Sequence, residues 1–127
     1  MSEPLRWYLR VLAALTLISG LGQLTLPAKL GAASAWGTAF GWQREIGFWG
    51  LAMSILIIRT LRANNPMAGR SVARALVTLQ FFVAVNHMAA TIQSHALLNG
   101  IMGVVNSGCV LLGAWVLRLK PTLSARR

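Results

Sequence analysis

Apolar residues run along this chain in long blocks, with charge confined to the gaps between them. Val11 to Ala28 carries no charge, nor does Ile46 to Ile58, and Ala75 to Leu117 contains no Lys, Arg, Asp or Glu. A bilayer core about 30 Å thick needs about 20 apolar residues per helix. The first two blocks each extend to one such helix. The third is too long for one, and reads as a helical hairpin turning where Gln93, Ser94, His95, Asn99 and Gly100 gather. The pattern therefore predicts an all-α fold, a single membrane domain over residues 1–127. Its four transmembrane helices lie at about 7–26, 41–61, 72–92 and 98–119. Pro27 and Lys29 end the first, Arg59 and Arg62 close the second, and Pro121 stops the last. Between the second and third, Asn64, Asn65, Pro66 and Gly69 supply turn chemistry. A Gly, Ala and Ser-rich stretch, residues 31–37, joins the first two.

Composition agrees. The chain is 56% hydrophobic and 11% charged, against roughly 25% charged in soluble domains. Its net charge of +10 comes from twelve Lys and Arg against Glu3 and Glu45. On a soluble domain that balance would suggest nucleic acid, but the basic residues fall at the ends of the apolar blocks. Arg6, Arg10, Arg59, Arg62, Arg70, Arg74, Arg118, Lys120, Arg126 and Arg127 share one side of the implied membrane, and Lys29 and Arg44 hold the other. Ten against two predicts both termini in the cytoplasm, with the basic side against anionic headgroups and no nucleic-acid partner. The expected location is a bacterial inner (plasma) membrane, with a homo-oligomer or larger complex as the possible assembly. Arg6, Arg10, the first apolar block and Ala33-Ser34-Ala35 also resemble a cleavable signal peptide. The block is longer than a usual signal core, however, and cleavage would upset the orientation.

Threading the helices alternately gathers the polar residues. Gln23, Gln43, Arg44, Glu45, Asn86, His87, Thr91, Asn99, Asn106 and Ser107 all fall in the non-cytoplasmic half, with Gln80 the main exception. Ionisable groups in a bilayer are costly, and they normally face the bundle interior and find partners. Glu45 is the one intramembrane acid, shallow by the rise of about 1.5 Å per residue. It reads either as a helix-terminus anion paired with Lys29, His87 or His95, or as a proton-accepting or ligand-anchoring carboxylate. His87 shares a helix face with Gln80 and Thr91, with Glu45, Asn106 and Gln23 as partners at similar depth. The candidate ligand-binding or proton-linked residues are thus Glu45, His87, Arg44, Asn86, Gln23 and Asn106.

No metal or cofactor is expected. His87 and His95 are eight residues apart, about 80° around one helix and about 12 Å along it, too far to chelate together. Zinc would need three or four ligands, and Cys109 stands alone in an apolar stretch. Gly50 with Ser54, and Gly103 with Ser107, have the spacing that lets helices approach closely in lipid. Met53, Met88 and Met102 read as core filling.

The run Trp42-Gln43-Arg44-Glu45-Ile46-Gly47-Phe48-Trp49-Gly50-Leu51 resembles a segment of small four-helix membrane proteins, similar in size and helix count to the DoxX-like group. Asn86 and His87 late in the third helix are in keeping. The resemblance implies the four-helix architecture and singles out Arg44, Glu45 and His87. The first helix has no Glu within its apolar block, unlike the small multidrug-resistance exporters. The leading functional expectation is a non-enzymatic accessory subunit, or a module that binds a lipid or small apolar ligand, with the polar cluster in the outer half of the bundle. The alternatives are a small membrane enzyme using Glu45 and His87 as acid and base, and a proton-coupled homodimeric transporter around Glu45.

Overall fold

The computed structural model describes residues 1–119, so the expectations placed on Lys120, Pro121, Arg126 and Arg127 lie outside the described residues. Within them the chain forms five helices and no strand: α1 (Glu3–Thr25), α2 (Pro27–Ala32), α3 (Phe40–Ala63), α4 (Pro66–Ser94) and α5 (Leu97–Arg118). The four long ones are each long and apolar enough to cross a membrane, as the blocks predict.

Local chemistry explains where the ends differ from the expectation. α1 starts at Glu3 rather than near Trp7, with Pro4 in its first turn, where a missing N–H costs nothing. α4 starts at Pro66, six residues early, because Asn65 caps it: its side-chain Oδ1 accepts from the backbone N–H of Met67 at 2.9 Å and of Ala68 at 3.2 Å. Asn64 ends α3 in the left-handed conformation, φ 50°. A two-residue link therefore reverses the chain. His95 does the same after α4, at φ 55°, its N–H donating to the carbonyl of Thr91 at 2.8 Å. The short α2 occupies residues 27–32, where the pattern predicts only the end of a span and a loop. Pro27 opens this helix as it closes the preceding one.

α1 packs along α3 and α4 along α5, with looser contact between the two pairs. The α1–α3 seam is built from small residues. A Cβ added to Gly20 would lie 2.9 Å from the carbonyl oxygen of Gly47, and one on Gly50 would lie 2.9 Å from that of Thr16. Only glycine permits that approach. The apolar core gathers Leu5, Tyr8, Leu9, Leu12, Ile57, Leu76, Cys109 and Val116 toward the end where α1 begins and α5 ends. There the N-terminal ammonium donates to Asn64 Oδ1 at 3.3 Å. The Arg70 guanidinium donates to the carbonyls of Leu117 and Leu119, satisfying groups that the end of α5 leaves without helical partners. Outward, the bundle is apolar on every long helix. Ile18, Trp49, Phe82 and Leu111 are 64–72% exposed.

Candidate functional site

Of the six buried polar residues among those described, Gln43, Asn99 and Asn106 lie toward the end of the bundle where α3 and α5 begin, Ser54 and Gln80 lie near mid-helix, and Thr60 lies toward the other end. The inner face of α3 is the row Gln43, Gly47, Ser54, Ile57 and Thr60, spaced three, four or seven apart as one face of a helix requires. On α4 the matching row includes Ala73, Leu76, Gln80 and Ala84, with the half-buried His87 one turn on. On α5 it includes Asn99, Gly103, Asn106 and Cys109.

The connection between α2 and α3, residues 33–39, folds over the end where α3 and α5 begin and is bonded into it. The backbone N–H of Ala35 donates to Asn99 Oδ1 at 2.8 Å, and Asn99 Nδ2 lies 3.2 Å from His87 Nδ1. Asn99 is fully buried. The Trp36 ring lies against the His87 imidazole, with centroids 5.0 Å apart and planes tilted by 54°. Gln43 Nε2 donates to the carbonyl of Gly37 at 3.3 Å, and Gly37 takes a positive φ of 66°, which suits glycine. Gly31 allows the connection to lie close, since a Cβ there would come within 2.7 Å of the Gly37 oxygen.

One backbone donor fixes the protonation pattern of this network. An amide N–H can only donate, so the Asn99 atom facing Ala35 is its carbonyl oxygen. The atom facing His87 is then the NH₂ group, which donates, and His87 Nδ1 must accept. His87 is therefore neutral, with its proton on Nε2. That Nε2–H makes no hydrogen bond among the described residues. Two carbonyl oxygens, Gln43 Oε1 and Gln23 Oε1, are buried without a partner among the described residues.

The candidates singled out by sequence separate. His87 meets Asn99 and Trp36 rather than Glu45, Asn106 or Gln23. Glu45 and Arg44 are exposed, because Glu45 lies about 200° around α3 from the inward Gln43 at 3.6 residues per turn. Among the described residues the one salt bridge joins Arg10 and Glu3, at 3.5 Å near the opposite end. Asn86 is exposed, one position before His87 and hence about 100° off the inner row. Asn106 is buried, but its Nδ2 donates to the carbonyl of Met102 in its own helix at 2.6 Å. Asn99, Trp36 and Gln43 stood outside the candidate set. The signal for Asn99 was available: an Asn in an apolar block must find a partner across helices. No group of three or more His, Cys, Asp or Glu is placed to hold a metal among the described residues.

Beside this network, on the outer side of the α4–α5 pair, runs an apolar groove of about 500 Å³ lined by Phe81, Ala84, Val85, Met88, Ala89 and Leu111, among others. Met88 also borders a second hollow of about 440 Å³, which reaches Leu97, Ile101 and Val104. From Leu97 to Leu111 along α5 is about 21 Å at 1.5 Å per residue.

No family model, no characterised protein and no solved structure matches the chain.

Proposed function

We propose that this chain is a non-enzymatic, multi-pass membrane module that holds a lipid chain or similar apolar ligand along α4 and α5. In this reading it sits in a bacterial inner membrane with cytoplasmic termini, a placement the ten-to-two basic asymmetry supports, and it resembles the DoxX-like group in size and helix count. The observation that carries the proposal is the groove flanking Met88. Its volume suits a bound ligand, and apolar lining with few polar groups is typical of such sites. Met88 borders both hollows, an arrangement that suits an elongated apolar occupant better than a compact polar one. The acid–base alternative draws no support from the geometry, since Glu45 faces outward and the Nδ1 lone pair of His87 is engaged by Asn99.

Photolabelling tests this reading. The protein in nanodiscs would be exposed to a phospholipid carrying a diazirine on its acyl chain, and the adducts mapped by mass spectrometry. Adducts should concentrate on α4 and α5 around Met88, and Ala89→Phe, which fills the groove, should reduce them several-fold. Labelling spread evenly over the outer faces of all four long helices would show bulk lipid and overturn the proposal. Orientation has its own check. Fusions at Arg127 should give fluorescent green fluorescent protein and inactive alkaline phosphatase, and the reverse would invert the topology.

A further inference from the structure

We propose that residues 33–39 form a strap released by a proton: protonation of His87 at Nδ1 breaks the bond by which Asn99 holds Ala35. This is independent of any ligand in the groove. Asn99 is committed on both sides. Its oxygen accepts from Ala35 at 2.8 Å and its nitrogen faces His87 Nδ1 at 3.2 Å. A proton on Nδ1 sets a donor against the Asn99 NH₂. Turning the amide over repairs that contact but points the NH₂ at the Ala35 N–H, again donor against donor. No orientation of Asn99 satisfies both neighbours once His87 is charged. Asn99 is fully buried, so water does not stand in for the lost partner.

Trp36 behaves differently. A cation close to an indole face, within about 6 Å, is attracted to it, and the ring centroids are 5.0 Å apart. The indole thus keeps its hold as the Ala35 backbone leaves, and the strap pivots on Trp36 rather than departing. The other tie, from Gln43 to the carbonyl of Gly37, is 3.3 Å long, and Gln43 Oε1 beneath it is buried without a partner among the described residues. Loosening the strap gives that oxygen access to water.

No fixed charge packed against His87 answers the proton instead. α1 has no ionisable residue from Val11 to Thr25, α5 none from Leu97 to Gly108, and the strap none at all. Lys29 on α2, Arg44 and Glu45 on α3, and His95 at the end of α4 are exposed. None of them bonds to His87 among the described residues.

The test follows two NMR signals of ¹⁵N-alanine- and histidine-labelled protein in nanodiscs as pH is lowered. One is the exchange protection of the Ala35 amide, corrected for intrinsic exchange. The other is the titration of the His87 ring. Protection should fall at least tenfold over the range in which His87 titrates. In His87→Gln the side-chain carbonyl accepts from Asn99 and carries no proton to gain, so protection should stay flat. In Asn99→Asp the carboxylate accepts from both neighbours, so protection should rise as His87 becomes charged. Wild type and His87→Gln decide the matter even if Asn99→Asp fails to fold. The proposal is overturned if Ala35 protection is unchanged while His87 titrates, if His87→Gln shows the same fall, or if His87 stays neutral down to pH 4.

Discussion

Thr16 Oγ1 and Ser54 Oγ lie 2.8 Å apart and share a hydrogen bond across the α1–α3 seam. Each hydroxyl also has a carbonyl of its own helix within reach: Leu12 at 2.8 Å for Thr16, and Gly50 at 3.0 Å for Ser54. The interhelical bond is thus replaceable, and Ser54→Ala should cost only about 0.6 kcal/mol, the average for such bonds between membrane helices. Ser54 is 1% exposed, so Ser54→Leu should cost several times more by forcing the helices apart. Reversible unfolding in mixed micelles separates the two. Equal losses for Ala and Leu would mean that the hydroxyl, not the space, holds the seam.

The glycines grade in the same way. A Cβ on Gly20 meets backbone atoms of α3, which cannot move aside. One on Gly103 meets the Met88 sulfur at 2.7 Å, and one on Gly108 meets nothing within 4 Å. Gly20→Ala should destabilise by about 1–3 kcal/mol. Gly103→Ala should cost less, because Met88 is flexible. Gly108→Ala should stabilise by about 0.5–1 kcal/mol through helix propensity alone. Thermal unfolding of the three variants in one detergent checks the order, and loss of stability in Gly108→Ala would mean that a partner covers that face.

The four long helices were legible because bilayer thickness sets how many apolar residues a crossing needs, and the three uncharged blocks extend or divide into one, one and two such crossings. The height of a residue along its helix was legible for the same reason. Direction around the axis was not. An inward face is expected for Glu45, yet the small and polar positions 43, 47, 50 and 54 already mark the inner row of α3. That spacing puts residue 45 outside. The partner of His87 was illegible for a different reason. Asn99 reaches it through a hairpin whose offset depends on how Gly103 packs against Met88, and no pattern in the chain states that offset. The six residues of α2 are too few to show periodicity, so the strap they position could not be anticipated.

Asn99 and Asn106 offer a paired comparison on one helix. Asn99 bonds across to the strap and to His87, whereas Asn106 donates to a carbonyl one turn away on α5. Asn99→Ala should cost about 1–3 kcal/mol, because the Ala35 N–H loses its partner. It should also raise amide exchange over residues 33–39 while leaving the α1–α3 seam protected. Asn106→Ala should cost less and leave the strap untouched. Hydrogen exchange read by mass spectrometry distinguishes them, and equal loosening of the strap in both variants would contradict the assignment.

Glu45 and His87 should behave as independent residues. Glu45 is exposed on α3, about 200° from the inward face at 3.6 residues per turn, so Glu45→Gln should leave the Tm within about 2 °C, as for other surface changes. His87→Leu removes the acceptor of a fully buried Asn99 and should cost about 1–2 kcal/mol. The decisive measurement is the double variant. Residues that share no partner add within about 0.3–0.5 kcal/mol, so Glu45→Gln with His87→Leu should cost the sum of the two within that margin, and a coupled pair would cost clearly less than the sum. An acid–base or ion-paired unit would instead show strong coupling, since breaking one half already removes the benefit of the other. A coupling energy above about 1 kcal/mol would place the carboxylate back beside the imidazole, and with it the acid–base chemistry that the outward orientation of Glu45 argues against.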